Sequence, residues 1–385
     1  HIAHRLANQG IHVTVLETQS KIANGASGNP QGIVFVKLSA SEGDLADFSL
    51  SAYLHATRFY SSLYGEEKLP EQEEQQCGML YLLDQEEWQK LKDKFEALSD
   101  WVAFLSPEQA SIQANTTIEE HAIWIAHGQW LQPSGLCERL LQHPNITVIT
   151  DSHVESLANT NDNWHVTTQS ETYQADTVVI ANAYQSKQFT EGYALPIRPA
   201  AGQITAFDDG NQPLEALKTI VCGKAYIAPS HKTTTIGATF RMNSEDCEIT
   251  EGDHQQNCKA IKTMLPDFDT SKGYSGRTSV RTASTDYIPL VGPVPDIQKF
   301  CEQFEQLGYD AKLQINQYGA TLKGLYLFTG LGSRGLSYSP LCADILCNTI
   351  CQKPLHAYPR WQAIIHPARF LIRGLKRRKT EQYYA

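Results

Sequence analysis

Apolar and polar positions along this chain fall into alternating helical and extended periods, which predicts a mixed α/β fold. His1 to Asn8 reads as a helix stopped by Gly10, and Ile11 to Leu16 as a strand closing on Glu17. Ala52, Ala56, Phe59 and Leu63 recur at helical spacing and mark a long helix from Leu45 to Tyr64. A Pro- and Glu-rich segment, Leu69 to Gln76, breaks that pattern and suggests a boundary. Beyond it the pattern predicts a strand over Gly78 to Asp84, helices over Glu86 to Leu98 and Pro133 to Gln142, and a short buried strand over Ile146 to Ile149. Val154 to Leu157 and Trp164 to Thr168 read as a meander. The apolar run from Asp176 to Ala181 suits a strand covered on both faces. Between Pro196 and Gly273 short strands alternate with one helix, Gly252 to Leu265.

The stretch from Leu322 to Leu346 turns the question from fold to ligand. Leu325, Leu327 and Phe328 are bulky enough for a central strand, and Gly330, Gly332 and Gly335 then clear side chains from a turn that opens a helix. Backbone N–H groups at such a turn, with the partial positive charge of the helix start, hold a phosphate or a cofactor ring. Without a ligand the same residues make a tight strand-to-helix turn. Glu17 stands where a dinucleotide fold places the acid that accepts hydrogen bonds from a ribose, or it is a solvated strand end. The opening strand and G-x-G-x-x-G turn of such a fold should lie just before His1, so the sequence reads as a fragment that begins inside a helix.

Composition narrows the classes. With 385 residues and 41% hydrophobic content the chain can bury a large core in two domains or so. No run approaches the roughly 18 apolar residues of a membrane span, and no leader is recognisable, so a cytoplasmic location is expected. Nine scattered Cys without a C-x-x-C pair support neither a disulfide framework nor a zinc site, and Cys347 and Cys351 read as small core residues of a helix. A formal charge of −10 argues against indiscriminate nucleic-acid binding. The tail differs: Arg369, Arg373, Lys376, Arg377, Arg378 and Lys379 are interleaved with Phe370, Leu371, Ile372 and Leu375. That is either an amphipathic terminal helix or an RNA contact.

Gly25-Ala-Ser-Gly-Asn-Pro-Gln-Gly32 follows soon after Glu17, and its small residues permit close approach of a bound group, although a plain glycine turn has the same composition. Together with Trp130, Ala181-Asn182-Ala183, the run Val280-Arg281 through Asp286, Pro289 and Gly292, and the Gly330 to Gly335 loop, the order resembles the flavoprotein amine oxidases of the D-amino-acid oxidase and glycine oxidase superfamily. The motifs G-A-S-G-N-x-Q-G, V-R-x-x-x-x-D-x-x-P-x-V-G and L-G-S-R-G-L-x-x-x-P-L-C-A are similar to those of the flavin-dependent domain in the bifunctional enzymes that complete methylaminomethyl-thiouridine at the tRNA wobble position.

The resemblance implies a Rossmann-like FAD-binding domain from residues 1–64, 130–195 and 275–368, an antiparallel-sheet substrate domain from 65–129 and 196–274, and a basic tail over 369–385. It implies FAD held by Glu17, Ala26, Ser27, Gly28, Asn29, Gly32, Val154, Ala181, Asn182, Gly330, Gly332, Ser333, Arg334, Gly335 and Leu336. The implied reaction oxidises the methylene of a carboxymethylaminomethyl group on tRNA, and hydrolysis then releases glyoxylate and a primary amine. Arg281 corresponds to the superfamily's carboxylate-binding Arg; a structural ion pair with Asp286 is the alternative. Arg334 would face the flavin pyrimidine oxygens or the incoming nucleotide, or cap a helix. Gln203 and Arg241 match positions near the substrate chamber, or pair across a sheet. The tail would meet tRNA, and S-adenosylmethionine would be a partner only if a methyltransferase domain precedes this chain. An oxidase of free glycine, sarcosine or a similar small amine, and a non-catalytic tRNA-binding remnant, are the competing functions.

Overall fold

The computed structural model describes residues 1–64, 74–98, 100–190, 192–208, 217–230, 233–271, 273–315, 317–354 and 359–383. Most of the boundary segment expected at Leu69 to Gln76 lies outside them, and its end, Glu74–Gln76, is a strand. The helix Ile2–Ala7 leads into the strand Val13–Leu16, which pairs in parallel with Ile146–Ile149. The predicted meander forms from Val154–Thr160, Asn163–Thr168 and Thr172–Ala175. Val178–Ile180 lies parallel to Thr321–Thr329, which pairs antiparallel with Leu290–Pro295. Val178 and Ile180 pack with Leu325 and Leu327 on one face and Val179 with Phe328 and Tyr338 on the other, so this sheet is covered on both sides as its apolar run predicts.

Among the described residues a nine-stranded sheet runs in the order Arg241–Met242, Ile197–Asp208, Thr233–Gly237, Tyr226–Ile227, Ile220–Cys222, Met79–Leu83, His121–Ile125 and Val102–Leu105, with Tyr274–Ser284 paired along Ile197–Asp208. The strand Tyr274–Ser284 therefore belongs to this sheet, although the sequence division begins the flavin domain at 275. Thr250 caps the helix Glu251–Met264 by accepting the Asp253 N–H, and the helix buries Ile261 and Met264 against Leu80, Phe207 and Ile236.

Two long helices support the glycine turn. Asp44–Tyr64 has Asp44 and Asp47 at its positive N-terminal end and buries Phe48, Ala52, Ala56 and Tyr60 along one face. Gly335–Ile350 contains Pro340, whose missing N–H would leave the Leu336 carbonyl unpaired. The Tyr60 hydroxyl donates to that carbonyl at 2.7 Å, so the first helix repairs the second. Cys347 is buried on this helix, as expected of a core residue, whereas Cys351 is the half-buried residue that caps its end.

The tail is not a separate appendage. Arg369–Lys376 is a helix that buries Phe370, Leu371 and Leu375 in the cluster around Leu195, Leu290 and Phe300.

Candidate active site

The strand Thr321–Thr329 ends where Gly330 and Gly332 take φ of +74° and +59°, a left-handed conformation that favours residues without a β-carbon. The Gly332 N–H donates to the Thr282 carbonyl at 2.7 Å, and Leu331 bridges Ala283. The turn is thus fastened to the strand carrying Arg281, and the Gly332 amide, expected to face a ligand, is spent on that fastening. Thr329 Oγ1 donates to the Ala183 carbonyl at 2.9 Å, and Ser186 Oγ donates to Asn182 Oδ1 at 3.0 Å, which sets Ala181 and Asn182 beside the same turn. Ser337 Oγ donates to the Phe35 carbonyl and accepts its N–H, joining the helix start to the strand Gly32–Val34.

Arg281 lies across Gly202. A β-carbon on Gly202 would sit 2.5 Å from Arg281 Nη1 and 2.5 Å from the Thr239 carbonyl oxygen, so glycine makes room for the guanidinium. The Phe240 ring lies on the guanidinium, with its centroid 5.0 Å from Cζ. Nη1 is shielded from solvent and has no hydrogen-bond partner among the described residues. Burial pulls the Arg281 pKa down, and charge interaction with Tyr226 partly offsets this. Burial pushes the Tyr226 phenol up while Arg281 draws it back, so a phenol and a guanidinium share one dry site. Ser279 Oγ and Thr282 Oγ1 on the same strand, both amide atoms of Gln129, and Gln31 Oε1 are also buried without partners. Buried polar groups are normally satisfied. Ser279 and Arg281 share one face of their strand, and the unpartnered Nη1 and Ser279 Oγ fit a bound polar group.

The ion pair of Arg281 with Asp286 does not form. Asp286 instead receives Arg369 Nη2 at 2.8 Å, Arg369 Nε at 3.0 Å and Arg373 Nη1 at 2.5 Å. Burial alone would raise its carboxyl, but Arg369 and then Arg373 overcome that and hold it at about 2. Arg369 is thereby committed to the fold, whereas Arg373, though held by Asp286, stays exposed, as does Arg378, which donates to the Gly308 carbonyl at 2.6 Å. Lys376, Arg377 and Lys379 are exposed.

Several other expected residues are committed to the fold. Gln203 is fully buried; its Nε2 donates to the Thr250 carbonyl at 2.9 Å and its Oε1 accepts the Thr250 N–H at 2.8 Å, which clasps the helix cap to the sheet. Arg241 pairs with Asp253 and donates to the carbonyls of Asp246 and Glu248. Arg334 Nη1 donates to Ser49 Oγ at 3.0 Å and to the Tyr338 hydroxyl at 2.7 Å, which binds it to the two long helices.

Gly28 and Gly32 serve packing. A β-carbon at Gly28 would meet Arg277 Nη2 at 2.4 Å, and one at Gly32 would meet Leu336 Cδ1 at 2.7 Å and Pro133 Cγ at 2.9 Å. Their small size admits protein neighbours rather than a ligand. Asn29 is buried, accepting Arg277 Nη1 at 2.9 Å, beside the turn Ala26–Gly28 that contains Ser27. Ser333 is exposed at the glycine turn. The Glu17 carbonyl accepts the Ser152 N–H at 2.9 Å, which brings the end of the first strand close to Val154. Arg277, Tyr226 and Phe240 were not singled out by sequence. Arg277 alone carried a signal, since it lies four residues before Arg281 and a two-residue period puts both on one face of a strand.

The FAD dependent oxidoreductase model matches residues 1–349. The chain belongs to this family. Within it, the chain is 33% identical over 387 residues to the tRNA 5-methylaminomethyl-2-thiouridine biosynthesis bifunctional protein MnmC of Pseudomonas syringae pv. tomato, which covers 97% of this chain and 58% of that protein. A relative of the same name from Chromobacterium violaceum is 31% identical over 396 residues, covering 98% of this chain and 59% of its own length. The chain thus spans less than two thirds of the curated relatives it matches. Glycine oxidase from Geobacillus kaustophilus superposes with a TM-score of 0.77 at 18% identity, covering 96% of this chain and 95% of that one. Iminodiacetate oxidase from Chelativorans sp. BNC1 gives 0.73 at 19% identity, covering 94% of each chain. At that identity the family's fold is what these structures share with the chain, and FAD is the family's cofactor.

Proposed function

We propose that this chain oxidises the carboxymethylaminomethyl group of a wobble (2-thio)uridine in tRNA, releasing glyoxylate and leaving the aminomethyl nucleoside. The observation that carries the reading is the shielded, unpartnered Nη1 of Arg281, on a strand fastened to the glycine turn. A carboxylate satisfies a guanidinium fork bidentately, and the substrate is in effect an N-substituted glycine. The tRNA portion rests on the names of the relatives at 31–33% identity. A cytoplasmic location and, at the surface, phosphate contacts from Lys376, Arg377, Arg378 and Lys379 belong to the same proposal.

In this reading Glu17, the turn Ala26–Gly28, Asn29, Val154, Ala181–Asn182 and the segment Gly330–Leu336 frame FAD, with Gly28, Gly32 and Arg334 acting through the packing they permit. When bound, FAD supplies the two-electron acceptor for the hydride leaving the methylene carbon. Arg281 neutralises and orients the carboxylate, and Tyr226 and Phe240 flank it. Water adds to the resulting C=N carbon of the substrate, the C–N bond breaks, and the nitrogen leaves as the amine. The substrate unit comprises the nine-stranded sheet with the strand Tyr274–Ser284, which moves its boundary ten residues beyond 274 to Ser284.

Incubation of the FAD-loaded protein with tRNA bearing the carboxymethylaminomethyl group should release glyoxylate in proportion to the amine formed. Oxidation of sarcosine without any glyoxylate from tRNA would make the protein a small-amine oxidase. A protein that binds tRNA but takes up no flavin would be the non-catalytic remnant.

A further inference from the structure

We infer that Phe240 is the stacking platform for the pyrimidine ring of the substrate, and so the residue that separates a nucleoside from a free amino acid; the inference rests on the functional reading above. The layers over the proposed carboxylate anchor are ordered. Gly202 backbone lies beneath, the Arg281 guanidinium above it, the Phe240 ring above that, and solvent beyond. Phe240 is 52% exposed although it contacts a largely buried cation, so part of its ring is open to a ligand. One face of the ring is engaged by Arg281. A base offers a flat partner of matching chemistry for the rest, and base–aromatic stacking is indifferent to base identity.

From the carboxylate carbon of a carboxymethylaminomethyl group to C5 of its uracil there are four single bonds, about 5 Å when extended. The Phe240 ring lies on the guanidinium with its centroid 5.0 Å from Cζ and is half open to solvent, so a base carried outward from a carboxylate held on Arg281 leaves the site past that ring. A free glycine or sarcosine carries no ring to stack there. The exposed Met242 follows two residues on, and the bonds from Arg241 to the Asp246 and Glu248 carbonyls hold this segment in place.

The test compares Phe240→Ala, Phe240→Leu and Phe240→Tyr in the flavin-loaded protein, using calorimetric binding of 5-carboxymethylaminomethyluridine and the ratio of kcat/KM for that nucleoside to kcat/KM for sarcosine. The Ala variant should bind the nucleoside about tenfold more weakly and lower the ratio by a similar factor. Leu should not restore binding, and Tyr should restore most of it. A Leu variant equal to wild type would reduce Phe240 to an apolar cover, and equal losses on both substrates would make it a shield of the anchor; either overturns the inference. Wild-type protein that binds the nucleoside no better than the Ala variant does overturns it alone. Wild-type protein that oxidises sarcosine but neither binds nor oxidises the nucleoside overturns the functional reading, and this inference with it.

Discussion

Arg281 occupies the space in which Gly202 has no side chain, with Nη1 2.5 Å from the point a β-carbon would take. Gly202→Ala should therefore displace the guanidinium, because the other obstructing atom is the Thr239 carbonyl oxygen, which belongs to the backbone. Overpacking of this kind costs about 1–3 kcal/mol. We expect KM for the carboxylate substrate to rise while flavin content holds, as read by steady-state kinetics beside the flavin absorbance spectrum.

Arg281→Ala removes the anchor and leaves the glycine turn intact. Removal of a charge-assisted hydrogen bond worth about 1.5–3 kcal/mol predicts a fall in kcat/KM of roughly ten- to hundredfold or more. Arg281→Lys should recover only part, since a point charge lacks the planar fork. A variant that loses flavin or unfolds would make Arg281 structural.

Tyr60→Phe deletes the donor that satisfies the Leu336 carbonyl opposite Pro340. A buried carbonyl left without a partner costs about 1–3 kcal/mol, and this one lies in the first turn of the helix that follows the glycine loop. Denaturant unfolding should show that loss, and the apparent affinity for FAD should fall with it.

Asp286 sets an acid limit on the tail. Its carboxyl is held at about 2, against an ordinary 3.8 in the unfolded chain, so its contribution is complete above the higher value and disappears as pH falls through the lower. After discounting for the exposure of Arg373, that is about 1–2 kcal/mol. The stability gap between wild type and Asp286→Asn, measured by urea unfolding, should narrow by this amount as pH falls from about 5 to about 2.

Replacing Lys376, Arg377 and Lys379 by Ala should weaken tRNA binding and flatten its salt dependence, by about 0.7–0.9 in log–log slope for each phosphate that is no longer neutralised. Arg369 and Arg373 are left out of this set because Asp286 holds them, and Arg378 because its removal would also break its bond to the Gly308 carbonyl. An unchanged slope would return the tail to a purely structural helix.

The elements were legible because their causes are local. Helical spacing in Asp44–Tyr64, the glycine that stops the first helix, and the apolar run at Val178–Ile180 act within a few residues, where backbone hydrogen bonds and side-chain period decide the outcome. The family was legible for a related reason, since its motifs are short runs whose spacing survives without any knowledge of contacts. The partners of long charged side chains were not. Arg281 and Asp286 are close in sequence, but the chain turns between them, and Asp286 is claimed by Arg369 from 83 residues away. Gln203, Arg241 and Arg334 carry the same groups whether they meet a ligand or the fold, and only packing shows that each is occupied by protein.

The sequence alone thus determined several of the main helices and strands, among them Ile2–Ala7, Asp44–Tyr64 and Val178–Ile180, and that a glycine turn precedes the last long helix, whereas the strand Tyr274–Ser284 under Arg281 was not read from it. Tertiary structure decided which polar groups remain without partners. That outcome depends on which distant surfaces desolvate one another, and desolvation arises only when the sheet, the turn and Phe240 close around Arg281.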